Sequence, residues 1–172
     1  MDRAYKTYRG CGVKSKSKKY KMKVSFEEET MSHVNEVRES VFKFGVELEK
    51  RAILHDKSKF HKPELNIFNE YTPKLKEITY GSEEYKQCLK EMKPALEHHY
   101  KVNRHHPEHF ENGIRGMNLV DIVEMFCDWY AASKRHADGD IKKSIEINQN
   151  RFGYSDDLKN IFENTIGVLK NE

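Results

Sequence analysis

A long amphipathic stripe dominates the first third of this chain. Apolar residues recur there every three or four positions, which is the period of an α-helix. Ser25, followed by Glu28 three positions later, has the pattern of a helix-capping box. We therefore expect one long helix that starts at Ser25 and runs to about Leu54. Its apolar positions are Val34, Val37, Val41, Phe44 and Leu48.

Shorter segments with the same period follow. Pro63 suits the first turn of a helix, and Pro73 is expected to interrupt that helix. Ser82, Asn118 and Ser155 are residue types that favour the N-cap position. Because no segment alternates with the period of a strand, the sequence predicts a single all-α domain, a bundle of six or seven helices.

The charge is distributed unevenly along the chain. Residues 1–23 hold nine Lys or Arg and one Asp, so they carry +8 in a chain whose net charge is +3 and leave −5 on the remainder. We interpret residues 1–23 as a basic, flexible tail and residues 24–172 as the helical domain. The tail would be a solubilising leader, a contact for nucleic acid through residues 14–23, or the product of a wrongly chosen start codon.

Composition excludes some classes of protein. No apolar run approaches the ~20 residues of a membrane span, and no apolar stretch of a secretory signal follows the basic N-terminus. The three cysteines are odd in number and widely spaced, which argues against a disulfide framework. We therefore expect a reduced, cytoplasmic protein, and the sequence gives no oligomeric state.

Histidines and carboxylates recur at helix positions in a pattern typical of metal ligands. His55 and Asp56 adjoin each other at the expected end of the first helix, His33 lies upstream, and Asp128 follows on a later helix. These four could hold one metal ion, and the neighbouring pair His98–His99 would make a second ion possible, with Asp56 as the bridge. Mixed imidazole and carboxylate ligands favour Mn, Fe, Co, Ni or Zn, and Mg is possible. Alternatively, His33 and His99 are ordinary half-buried histidines, and Asp128 is a helix cap or a partner of Arg135.

Such a site suggests hydrolysis of a phosphoester by metal-bound water, with Asp56 also orienting the nucleophile. Lys59, Arg104 and Arg135 would bind substrate and stabilise the phosphoryl charge. His105 or His106 would contact the substrate and protonate the leaving oxygen. The histidine-rich segment 103–109 could also bind a metal itself or be a solvated loop.

The order His33, then Leu54–Lys59, then Asp128 resembles the HD superfamily of metal-dependent phosphohydrolases. His98–Tyr100 and the later Asp128 are similar to its HD-GYP branch, but the Gly-Tyr-Pro signature is absent, so cleavage of cyclic di-GMP is not supported. The resemblance implies an HD-domain-like helical fold, a divalent cation and a small phosphorylated substrate, most often a nucleotide. The metal ligands that it implies are His33, His55, Asp56, His98, His99 and Asp128.

Residues 24–170 also resemble a family of small bacterial and phage-associated proteins known only as a domain of unknown function. The segments that carry this resemblance are residues 54–60, 98–108 and 124–129. This second resemblance names no substrate. The alternatives to catalysis are a catalytically silent module that binds a nucleotide or a partner, nucleic-acid binding by the tail, and an oxygenase with two irons.

Overall fold

A computed structural model describes residues 24–78, 82–135 and 139–170. Within these residues the chain forms α-helices joined by short turns and contains no strand, so the all-α prediction is confirmed. The helices are α1 (Phe26–Leu54), α2 (Glu64–Glu77), α3 (Glu83–Val102), α4 (Leu119–Ser133), α5 (Ile141–Phe152) and α6 (Asp156–Leu169). Single 3₁₀ turns occupy Lys57–Phe60, Pro107–His109 and Gly113–Gly116.

Local sequence signals account for several helix starts. The backbone N–H of Ser25 donates to the Glu28 carboxylate at 2.8 Å, and the N–H of Glu28 donates to Ser25 Oγ at 3.2 Å, which confirms the capping box. The expected N-caps at the starts of α3, α4 and α6 each accept a hydrogen bond from a backbone N–H in the first turn. These contacts satisfy N–H groups that have no partner within their own helix.

The prediction that Pro73 interrupts the second helix is wrong, because α2 continues through it to Glu77. A proline inside a helix removes one hydrogen bond and crowds the preceding turn. Here α2 packs along α3, and this tertiary packing outweighs the local penalty.

The chain divides into one unit that ends at Glu39 and another that begins at Ser40. Of the first unit the structure describes residues 24–39, in which nearly every side chain is exposed, including that of His33. The predicted basic tail, residues 1–23, lies outside the described residues. Among the helices that are described, none is both long enough and apolar enough to cross a membrane.

The apolar core of the second unit lies among α4, α5 and α6. Phe126 stacks on Phe162 with ring centroids 5.1 Å apart, and Trp129 meets the same ring edge-on at 5.6 Å. Ile145 and Met125 are almost fully buried beside them. This core fixes α4 along one face, and its other face carries carboxylates toward the end of α1 and the segment that follows α3.

Candidate metal centre

Asp56 begins the turn that follows α1. Its backbone has φ 55° and ψ 14°, in the left-handed region that aspartate tolerates better than most residues. The side chain is 17% exposed, and Lys59 donates to its Oδ2 at 2.6 Å. Oδ1 is fully buried and receives no hydrogen bond from the described residues.

Three imidazoles direct Nε2 toward this carboxylate. The Nε2 atoms of His99 and His105 lie 3.3 Å and 3.5 Å from Asp56 Oδ1, and the Nε2 atom of His55 lies 3.6 Å from Oδ2. Ligand atoms about 2.1 Å from one metal ion stand roughly 3.0–3.5 Å from each other. The spacing around Oδ1 therefore suits a cation shared by Asp56, His99 and His105.

The other ring nitrogen of each of these histidines faces a buried glutamate. His99 Nδ1 lies 2.8 Å from Glu64, whereas Nδ1 of His55 and of His105 lie 3.0 Å and 3.2 Å from one oxygen of Glu124. A carboxylate can only accept a hydrogen bond, so it favours a proton on Nδ1 and leaves the lone pair of a neutral imidazole on Nε2. Metal-binding histidines in proteins are commonly oriented in this way.

His106 completes the group. Its Nε2 lies 2.9 Å from Nε2 of His99, and its ring contacts those of His99 and His105. Burial, together with the neighbouring imidazoles of His105 and His99, lowers the pKa of His106 to about 3. The ring is therefore neutral at physiological pH, as a metal ligand must be.

Two buried polar atoms face each other without hydrogen bonds from the described residues, namely Asp56 Oδ1 and His105 Nε2. Leaving such a group unpaired typically costs about 1–3 kcal/mol. The third such atom, Glu124 Oε2, is different because it lies 3.1 Å from Arg51 in an ion pair. A cation between Asp56 and His105 would satisfy the first two atoms together.

The electrostatics show how strongly the cluster attracts positive charge. The carboxylates of Asp128 and Glu124 raise the pKa of His55 to about 10, against the effect of its burial. Burial alone would raise the pKa of Asp56, but the nearby His99 and Lys59 outweigh it and hold that pKa well below its ordinary value. In the same way, His105 and His55 lower the pKa of Glu124 to about 2 despite burial. Protons and Lys59 thus supply the positive charge that a divalent cation would bring.

The possible ligands form two groups that share His105. One consists of Asp56, His99, His105 and His106, and the other of His55, His105 and Glu124. Asp128 lies at the edge, 3.7 Å from His55 Nε2. The first group has enough donor atoms for one cation, and the second group provides donor atoms for another.

Besides Asp128 at the edge, two of the predicted ligands belong to neither of these groups. His33 is exposed in the first unit and belongs to neither. His98 is 38% exposed and places its Nδ1 2.7 Å from Glu64, so it contacts the glutamate that also orients His99. The remaining predicted ligands, His55, Asp56, His99 and Asp128, lie together.

The cations predicted to bind phosphate have different surroundings. Lys59 lies at the cluster, paired with Asp56 and 37% exposed on its side chain. Arg104 instead donates two hydrogen bonds to the fully buried Asp121, at 3.0 Å and 2.8 Å, and is engaged in the structure. Arg135 is exposed just after α4 and is not part of the cluster.

Sequence reasoning missed the roles of two glutamates and underestimated two histidines. Glu64 and Glu124 are buried partners of the imidazoles, and His105 and His106, expected at a substrate-facing rim, lie among the possible ligands. A signal existed for Glu124, which precedes Asp128 by one helical turn on the same face. Glu64 had no comparable signal, because a glutamate after Pro63 usually marks an exposed first turn.

A comparison with protein families gives one match. The model of a family of unknown function, DUF5662, matches residues 22–168, which is most of the chain and includes the whole cluster. No curated protein and no solved structure gives a significant match. The protein belongs to the DUF5662 family.

Proposed function

We propose that this protein is a metal-dependent phosphohydrolase that binds one or two divalent cations at the histidine cluster. The observation that carries the proposal is the shared orientation of His55, His99 and His105. Each presents Nε2 to the carboxylate of Asp56 while a buried glutamate holds its Nδ1. The resemblance of the His-Asp pattern to the HD superfamily supports the same function.

The donor set favours a catalytic ion over a purely structural one. Structural zinc sites are typically closed sets of four ligands, rich in cysteine. Here imidazoles and carboxylates exceed four, Asp128 lies at the edge, and the side chains of His55 and Asp128 are 28% and 24% exposed. This composition suits Mn, Fe, Co, Ni or Zn, with Mg a weaker fit because of the imidazoles.

In the proposed hydrolysis, the metal ligands and Lys59 have different roles. A bound divalent cation would acidify water and withdraw charge from the phosphoryl oxygens. Asp56 and the imidazoles would hold that ion, and Lys59, released from Asp56 by the competing charge, would meet an oxygen of the phosphoryl group. In this proposal His105 and His106 bind metal and do not protonate the leaving group, because their rings lie within the cluster.

The test combines metal analysis with a search for substrates. Protein prepared with Mn, Fe, Co, Ni, Zn or Mg would be assayed for bound metal and for phosphate release from phosphomonoesters, phosphodiesters and nucleotides. We expect bound transition metal and turnover that depends on it. Metal bound without turnover would indicate a silent binding module, whereas iron-dependent oxygen uptake without phosphate release would indicate an oxygenase.

A matched pair of histidine variants locates the activity. His99→Ala should lose metal and phosphate release together, whereas His61→Ala, an exposed histidine after the first 3₁₀ turn, should retain both. Circular dichroism would verify that both variants keep their helices. If His99→Ala keeps full metal content and full turnover, the cluster is not the active site.

A further inference from the structure

An apolar groove opens directly beside the cluster. It encloses about 430 Å³ between α4 and the part of α1 that follows Ser40. His55, Glu124 and Asp128 line it at the cluster end. Apolar side chains and one thiol form most of the remaining wall: Leu48, Ala52, Val123, Cys127 and Ala131.

The groove has little with which to bind a second charged group. Arg51 is the only Lys or Arg among the described residues that line it. Its guanidinium is engaged by Asp121 and, at 3.1 Å, by Glu124. Away from the three polar side chains at the cluster end, a polyphosphate or a sugar placed here would lose hydration without gaining charged or hydrogen-bonding partners in return.

We propose that the groove holds the organic part of the substrate and that this part is apolar, an alkyl or aryl group esterified to a single phosphate. The proposal rests on the proposed function for the position of the phosphoryl group. His55 and Asp128 belong to both the groove and the edge of the cluster, so a phosphoryl group at the cluster leaves its substituent in the groove. The substrate class that we propose is therefore a phosphomonoester with an apolar organic group, and not a nucleotide.

Binding can be measured apart from catalysis with alkylphosphonates, whose carbon–phosphorus bond is not hydrolysed by phosphoester chemistry. Titration calorimetry of the Mn-loaded protein would compare methyl-, ethyl-, propyl- and butylphosphonate. Burial of each added methylene should tighten binding about fourfold, as expected from the transfer free energy of one CH₂ group. The metal-free protein should show the same ratio from one member to the next at lower overall affinity.

Two adjacent alanines provide a variant and its control. Both are exposed on α4, but Ala131 lines the groove and Ala132 lies outside it. Ala131→Leu should fill the groove and abolish the increase in affinity with chain length, and Ala132→Leu should leave that increase intact. Metal content should be the same in both variants.

The two cysteines in the described residues give a second measurement on the unmodified protein. Cys127 lines the groove and Cys88 lies on α3, away from it. Butylphosphonate should slow alkylation of Cys127 by iodoacetamide severalfold and leave the rate at Cys88 unchanged, as measured by peptide mass spectrometry. Methylphosphonate should protect Cys127 less.

The outcomes separate this inference from the proposed function. If affinity in the wild-type protein does not rise with chain length, the groove is not the substrate site, whatever the phosphate-release screen gives. If affinity rises and Ala131→Leu abolishes the rise, the groove is assigned, even when no phosphoester is hydrolysed. If Ala131→Leu instead changes only the oligomeric state in sedimentation and leaves the affinities unaltered, a second copy covers the groove and the proposal is wrong.

Discussion

Helix α4 separates an apolar interior from a polar one. On one side Phe126 and Trp129 pack against Phe162, and the polar Tyr154 hydroxyl donates to the Ile145 carbonyl at 2.6 Å. On the other side lie buried carboxylates and imidazoles, some of whose polar atoms have no hydrogen bond from the described residues. The first interior is complete by itself, whereas the second contains buried polar atoms that a bound cation would satisfy.

This difference implies two kinds of energetics. The apolar interior stabilises the fold through burial and close packing, whether or not a ligand is present. If the polar interior binds a cation as proposed, the cation would add to the stability of the fold by mass action, since it would bind to the folded state alone. Variants in the apolar interior should therefore keep the response to metal, and variants in the polar interior should lose it.

The largest effect on stability is expected in the apolar interior. Phe162→Ala removes a ring that is 2% exposed and should lower the free energy of unfolding by about 3–5 kcal/mol. The loss should be equal with and without Mn in denaturant titrations. Val168→Ala, on the same helix but 77% exposed, should change stability by less than about 0.5 kcal/mol. A metal-dependent loss in Phe162→Ala would show that the two interiors are coupled.

Next in size is the effect of removing the central carboxylate. Asp56→Ala should weaken metal binding by more than about a hundredfold, so that a metal concentration of 100 Kd no longer contributes its ~2.7 kcal/mol. Without metal the variant should also lose some stability, because Lys59 and His99 lose the carboxylate that they contact. Asp157→Ala, exposed at the start of α6, should keep the wild-type response. Thermal unfolding with Mn and with a chelator measures the response of each variant to metal. If Mn raises the Tm of Asp56→Ala as much as that of the wild-type protein, Asp56 is not a metal ligand.

A smaller effect is expected from the glutamate behind the ligands. Glu64→Gln keeps the shape but weakens the hold on His99, and it should cost about 10- to 100-fold in metal affinity. Glu70→Gln on the exposed side of the same helix is the matched control. Equal affinities in the two variants would mean that Glu64 serves the fold alone.

The smallest effect is expected at Arg104. Its guanidinium donates to the buried Asp121, which also pairs with Arg51, so Arg104→Ala should lower stability by about 1 kcal/mol. Metal affinity and the KM of any phosphoester found should stay within twofold of the wild-type values. Arg115→Ala, another exposed arginine, should change neither quantity. A KM that rises tenfold in Arg104→Ala would instead restore the phosphate-binding role predicted from the sequence.

Local signals predicted much of the helical framework. The capping box at Ser25, the caps at Ser82, Asn118 and Ser155, and the end of α1 near Leu54 are found as expected. Each depends on residues within one helical turn, so the sequence contains the whole interaction. The prediction at Pro73 was wrong because the packing of α2 against α3 keeps the helix continuous there, and that contact is not local.

The candidate site was only partly predictable for the same reason. A His-Asp pair and a helical period indicate which way side chains point around a helix, and they identified His55, Asp56, His99 and Asp128. They do not indicate how far apart two elements lie, so His98 was predicted to be a ligand like His55, Asp56 and His99.

The sequence alone determined the all-α class, the helix starts and the presence of an imidazole–carboxylate set suited to a transition metal. Only the tertiary structure decided that His105 and His106 lie in the cluster and that Glu64 and Glu124 orient its rings. Those contacts join residues from separate helices and loops, and their distances are set by how the helices pack. A helical period repeats within a single element, and it carries no information about the distance to another.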